Sequence, residues 1–428
     1  MKEVLKTKLD NGLQVNLKEI HSSPIISHWL WYRVGSRDEE PGQTGISHWV
    51  EHMQFKGTKK FPAGVLDNAI SRVGGVWNAF TYMDWTAYFE TLPSNYIELA
   101  LELEADRMTS SLYDGKEVES ERTVVISERE GNENEPLFRL GEAVQLKTFD
   151  QHPYRNEVIG SLEDLRSITR EELIDHRKKY YVPSNAVLSL AGDFDTKKML
   201  ELIEKYYGQI PSGSKNTHAN VSETPLSGQK NVIVNGPGET PYLQIVYRAP
   251  SASDSDFMVL SVLDSLLSGP SSLNMFGGGG VTNKTSRLYK KLVENELAMG
   301  ISGGVQATIE PFIYNLMVTV NPLVNMDEVI EAIDDEIDML SSEMINEEEI
   351  KRAIKQAQAM FVYGSENITN QAFWLGYAEM FDTYDWFRCY IDKLHSITPE
   401  HILNITKQYL SPKNRVVGRY IPDNRQGA

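Results

Sequence analysis

The chain has a single cysteine, Cys389, in 428 residues. Internal disulfides and a thiolate metal site are therefore excluded, and Cys389 is expected to be a small buried hydrophobe. No apolar run reaches the roughly 18 residues that a membrane-spanning helix needs. Basic residues are scarce: 42 Lys and Arg face 60 Asp and Glu, for a net charge of −18. That balance argues against a nucleic-acid partner, which requires a basic patch. It suits an acidic, soluble surface, or a negative cavity that draws basic peptides. The opening Met1-Lys2-Glu3-Val4-Leu5-Lys6 has no apolar core. The cytoplasm is the expected compartment, with the periplasm open to a chain already trimmed of a signal peptide. Histidine is sparse too, at 9 residues, so any close pair of histidines stands out.

One such pair exists. Gly45-Ile46-Ser47-His48-Trp49-Val50-Glu51-His52-Met53 reads H-x-x-E-H. Histidines at i and i+4 share a helix face, so both imidazoles can converge on one metal ion. Glu51 lies one turn from His48 and beside His52, within reach of a water at that metal. This is the zinc-peptidase arrangement with the glutamate moved, the inverzincin order. A solvated surface helix can carry the same residues, so the third ligand matters. A catalytic zinc takes three protein ligands and leaves one position open. The acidic segment 117–130 offers Glu117, Glu119, Glu121, Glu128 and Glu130. Its apolar Val118, Val124, Val125 and Ile126 predict an amphipathic helix, on which Glu121 and Glu128, two turns apart, share a face. Periodicity alone does not choose among the five.

Length and composition fit two domains of about 200 residues each; hydrophobic residues make up 41% and charged residues 24%. The chain also repeats itself. Ser167-Ile168-Thr169, Glu171, Tyr180, Asn185 and Val187 recur as Ser396-Ile397-Thr398, Glu400, Tyr409, Asn414 and Val416, each pair 229 residues apart. In both copies a Thr that can cap a helix precedes an amphipathic run, a turn with Pro and Asn, and a strand. Two similarly folded halves follow: 1–211, and 229–428 without metal, joined by a Ser/Gly/Asn/Thr-rich linker at 212–228. Alternating strands such as Leu13-Gln14-Val15-Asn16-Leu17 beside long amphipathic helices such as 327–340 predict an α+β fold, each half a mainly antiparallel sheet packed with helices. The glycine run from Gly277 to Lys284-Thr285 nearly matches a phosphate-binding loop. Asn283 stands where its second glycine must be, and no apolar strand precedes it. Nucleotide binding is therefore set aside.

With these motifs in view, the chain resembles the pitrilysin/insulinase superfamily, most closely the short-chain branch related to mitochondrial processing peptidase. Carrying the resemblance are Leu9-Asp10-Asn11-Gly12-Leu13, Gly35-Ser36-Arg37-Asp38-Glu39, the His48 to Thr58 run, Gly74-Gly75-Val76-Trp77-Asn78-Ala79-Phe80-Thr81, Glu121-Arg122, Glu128, His152-Pro153-Tyr154, Ile159-Gly160, Tyr181, Asn185 and Gly192-Asp193. They stand in family order and spacing along essentially the whole chain. The resemblance implies one zinc held by His48, His52 and Glu128, Glu51 as general base and Glu121 as a supporting residue. It also implies that substrate lies on Asn78, Ala79, Phe80 and Thr81, and that a loop between Leu267 and Ser286-Arg287-Leu288-Tyr289 touches it.

One departure concerns partners. Active members usually carry an Arg and a Tyr in a second-half segment resembling L-R-E-x-x-x-L-A-Y. Here Leu292-Val293-Glu294-Asn295-Glu296-Leu297-Ala298-Met299-Gly300 is one residue shorter, with Val293 and Met299 near those places. Neither side chain donates a hydrogen bond. The chain thus resembles the zinc subunit of a bacterial heterodimer whose homologous partner brings the Arg/Tyr pair, with a homodimer as the other possibility. The expected function is zinc-dependent endopeptidase hydrolysis of unfolded peptides or small proteins. The competing expectation is a non-catalytic structural or binding homologue.

Overall fold

The structure, a computed structural model, describes residues 3–214, 221–277 and 281–423. Eleven strands among them form two sheets. The first contains β1 (Leu5–Lys8), β2 (Gln14–Glu19), β3 (Ile25–Tyr32), β4 (Val76–Thr81), β5 (Thr86–Pro93) and β6 (Ala186–Gly192), in the order β1-β2-β6-β3-β5-β4. The second contains β7 (Lys230–Pro237), β8 (Tyr242–Arg248), β9 (Ala298–Val305), β10 (Ile313–Val320) and β11 (Arg415–Asp423), in the order β7-β11-β8-β10-β9. Each sheet has one parallel pair, β2 with β6 and β7 with β11, and is otherwise antiparallel. From β2 and β7 onward the two orders match strand for strand, as the repeat requires.

The repeated residues do the same work in both copies. Thr169 and Thr398 each cap a helix, at Arg170–Tyr180 and Pro399–Tyr409, through a reciprocal capping box. Asn185 Nδ2 donates to Tyr180 O at 2.9 Å and Arg33 O at 3.2 Å. Asn414 Nδ2 donates to Tyr409 O at 2.9 Å and Arg248 O at 3.1 Å. One side-chain amide thus ties the end of each helix to a neighbouring strand, which explains why Asn recurs at that turn.

The compact units are not the contiguous halves expected from sequence. One comprises Met1–Glu130, Asn156–Val221 and Glu366–Tyr384; the other comprises Gly131–Arg155, Ser222–Ser365 and Asp385–Ala428. Each takes a helix from the other half of the chain. Helix Ile368–Phe381 covers one face of the first sheet, where Phe373 packs edge-on against Trp29 and Trp31 at 5.4 and 5.3 Å between ring centroids. Gly376 permits the close approach: a Cβ there would meet Trp31 Nε1 at 2.1 Å. Helix Pro136–Thr148 likewise puts Leu140 and Val144 against Val246, Val416 and Tyr420 of the second sheet.

This covering helix corrects a detail of the strand pattern. Alternation in Leu13–Leu17 places Asn16 on a solvated face, yet Asn16 is buried and donates to Leu375 O at 2.8 Å. A sheet covered on both faces must pair its inward polar groups. Cys389 departs from expectation as well. It is exposed on helix Tyr384–His395, whose buried side is taken by Trp386 and Tyr390. The near match to a phosphate loop at 277–285 lies partly outside the described residues, at 278–280.

Candidate metal centre

The H-x-x-E-H run forms helix Ile46–Met53. Gly45 opens it at φ 89°, and a Cβ at that position would meet Ile159 O at 2.4 Å, so both conformation and space demand glycine. The two oxygens of Glu39 accept the Gly45 and Ser47 N–H groups, each at 2.9 Å. A carboxyl there satisfies otherwise orphaned donors at the helix start. Burial pushes the Glu39 carboxyl up to about 8, against those hydrogen bonds. Ile46, Trp49, Val50 and Met53 are buried and fix the rotation of the helix. With that face committed to the core, His48 and His52 lie together, their ring centroids 4.5 Å apart.

The second element is helix Gly115–Asn132, which buries Val118, Glu121, Val125 and Arg129 on one stripe. Arg122 joins it to its surroundings. Its guanidinium lies over the Trp49 ring at 4.6 Å and donates to Leu165 O at 2.7 Å and Ile168 O at 2.9 Å. The helix brings two glutamates to the histidines in different ways. Glu121 Oε1 is 2.9 Å from His52 Nδ1, and its other oxygen is ion-paired with Lys56. Glu128, exposed, places Oε2 3.6 Å from His52 Nε2. His48, His52 and Glu128 each offer one ligand atom within 4.8 Å of the others, the one such trio among the described residues. Of the remaining glutamates, Glu119 is paired with Arg122 and Glu130 with Arg166.

These environments separate the titrating groups. Burial, with His52 beside it, holds His48 down at about 3, so its imidazole is neutral at pH 7; its Nδ1 is buried without a partner among the described residues. Burial also opposes charge on His52, but the Glu121 hydrogen bond and the nearby carboxylates outweigh it and raise its pKa. Burial likewise works against ionised Glu121, and His52 with Lys56 outweighs it, so that carboxyl stays low. Glu51 moves the other way. Burial raises it, opposed by a hydrogen bond from Thr81. Two nitrogens and one carboxylate oxygen make a donor set that suits zinc, with room for a fourth ligand.

β4 is an edge strand of the first sheet. It pairs with β5 from Val76↔Thr91 to Thr81↔Thr86 and carries no strand on its other side among the described residues. Along it Asn78 is exposed, Ala79 buried, and Phe80 and Thr81 half-buried. Thr81 Oγ1 donates to Glu51 Oε2 at 2.8 Å. Sequence reasoning missed this contact, and it missed Lys56 and Glu39. The one available signal is alternation, which puts Ala79 and Thr81 on the same face.

In the second unit, Arg287 is not a spare cation. Its guanidinium forks onto Glu349 at 2.7 and 2.8 Å, with Glu336 at 3.5 Å. Val293 closes a single π-helical turn, Tyr289–Val293, and Met299 is 56% exposed on β9, the edge strand of its sheet.

Comparisons with known proteins point one way. Residues 14–161 match the family model described as Insulinase (Peptidase family M16), and residues 167–357 match the model described as Peptidase M16 inactive domain. The chain is 32% identical to Zinc protease PqqE of Helicobacter pylori over 268 residues, 60% of each chain. It is 26% identical to an uncharacterized zinc protease of Mycobacterium leprae over 96% of its own length and 90% of that protein. It is 27% identical to a probable mitochondrial-processing peptidase subunit beta of Arabidopsis thaliana over 70% of its length and 56% of that protein. Among solved structures, a protease from Helicobacter pylori superposes with TM-score 0.90 at 24% identity, covering 98% of this chain and 99% of that one. The periplasmic protease PqqL from Escherichia coli superposes with TM-score 0.79 at 18% identity, covering 99% of this chain and 48% of that one. With two models of one family matching consecutive stretches, 14–161 and 167–357, the chain belongs to the insulinase family, peptidase family M16.

Proposed function

We propose that this chain is a zinc-dependent endopeptidase subunit that cleaves unfolded peptides or small proteins. The carrying observation is the convergence of His48, His52 and Glu128 within 4.8 Å, with Glu51 on the same helix turn and hydrogen-bonded to the β4 edge. His48, His52 and Glu128 would hold the zinc, which when bound would supply a Lewis acid for the scissile carbonyl and a water of pKa about 7. Glu51, buried and with its pKa raised, takes the proton of the attacking water and hands it to the leaving amine nitrogen. Glu121 donates nothing to the reaction. It fixes the tautomer and orientation of His52 through Nδ1, a common second partner for a ligand histidine. The unpaired side of β4 offers backbone N–H and C=O groups to an extended peptide, as in strand addition.

Metal analysis tests this directly. Purified with zinc available, the chain is expected to hold one zinc. Glu128→Gln, which removes the anionic ligand, is expected to lose most of it. A variant with full zinc content shifts the ligand role to another glutamate. Glu121→Gln is expected to keep the site but bind zinc about 10–100-fold more weakly, the usual cost of losing such a second partner. Unchanged affinity in a chelator competition contradicts its orienting role.

The non-catalytic alternative draws its support from the second unit. Val293 and Met299 stand where the family resemblance expects Arg and Tyr, and Arg287 is already committed to Glu349 and Glu336. The reading that reconciles both observations is a heterodimer: this chain brings zinc, Glu51 and the β4 edge, and a homologous subunit brings the side-chain donors.

A further inference from the structure

Glu51 is buried at 8% exposure, and a buried carboxylate must be held by donors to stay both charged and oriented. Its side-chain hydrogen bond comes from Thr81 Oγ1, at 2.8 Å from Oε2. Threonine suits the task, because its β-branch stiffens χ1 and the hydroxyl cannot swing freely. The surroundings leave that hydroxyl a clear choice of acceptor. Its cross-strand partner is Thr86, whose Oγ1 donates to Val34 O at 2.9 Å and stands 3.4 Å from Thr81 Oγ1. A charged carboxylate at 2.8 Å outcompetes a neutral hydroxyl at 3.4 Å for the single Thr81 proton. With Oε2 taken, Oε1 of Glu51 is left for the water.

We infer that Thr81 is a positioning residue for the general base. It ties one oxygen of Glu51 to the strand on which substrate docks, so a single rigid element sets both the peptide register and the orientation of the base. The inference rests on the proposed peptidase reading and adds to it a residue that acts through Glu51 and not on the peptide. Thr81→Val keeps shape and β-branching and removes the donor; Thr81→Ser keeps the donor.

The test measures kcat and KM on an unstructured peptide, with the homologous subunit present, alongside zinc content. Thr81→Val is expected to lower kcat roughly 10-fold, the size of one hydrogen bond to a charged group, with KM within about 2-fold and zinc unchanged. Thr81→Ser is expected to recover most of that loss. Wild-type turnover with an unaffected Thr81→Val overturns the role of Thr81 alone. So does a Thr81→Ser variant as slow as Thr81→Val, or a loss confined to KM, since either marks packing or substrate contact. A zinc-loaded wild type with no turnover in the mixture overturns the peptidase reading itself, and the role of Thr81 with it.

Discussion

Glu51→Gln is expected to retain zinc and peptide binding while losing hydrolysis. The amide nearly matches the carboxylate in shape and can still accept from Thr81, but it cannot take a proton from water. Removing a general base typically costs about 100-fold or more in turnover. The substitution leaves the candidate metal trio untouched, since its ligand atoms belong to His48, His52 and Glu128. The measurement is single-turnover peptide cleavage on protein with matched zinc content. Turnover near wild type would assign the base elsewhere; lost zinc would mean Glu51 supports the metal.

The second large effect concerns the partner. The isolated chain is expected to cleave peptides weakly or not at all, and addition of a homologous subunit carrying Arg and Tyr is expected to raise cleavage by orders of magnitude at constant zinc content. A donor to the developing oxyanion is worth about 10²–10³ in turnover, and this chain offers Val293 and Met299 at those places. Arg287, the nearest basic alternative, has its guanidinium spread over two glutamates. Freeing it would break a two-point ion pair with Glu349, so it is poorly placed to serve a transient charge. If the chain alone matches the mixture, the donors come from this sequence, and Tyr289 is the first residue to mutate.

The histidine pair was legible because its geometry is local. Residues four apart on a helix must meet, whatever the rest of the chain does. The repeat was legible for a similar reason: a capping Thr and a turn-locking Asn act on neighbours a few residues away, and the structure shows both copies making the same bonds. The third ligand was of a different kind. Five glutamates on one amphipathic helix are equivalent to periodicity. Family spacing named Glu128, while the structure distributes Glu121 to His52 Nδ1 and Lys56 and leaves Glu128 facing the imidazoles.

Other features depended on contacts between residues far apart in sequence. Asn16 is buried because helix Ile368–Phe381, supplied from the far end of the chain, covers a sheet face that alternation marks as solvated. The exchange of that helix and of Pro136–Thr148 between units leaves no mark in local composition, since an amphipathic helix does not encode which sheet it will cover. The Thr81 to Glu51 hydrogen bond joins a strand and a helix 30 residues apart. By itself, then, the sequence determined the local constellation His48, Glu51 and His52, the twofold α+β plan and the family. The tertiary structure decided which carboxylate serves which imidazole, which helix covers which sheet, and what holds the base. Local periodicity fixes a side chain's direction on its own element; only packing fixes what it meets there.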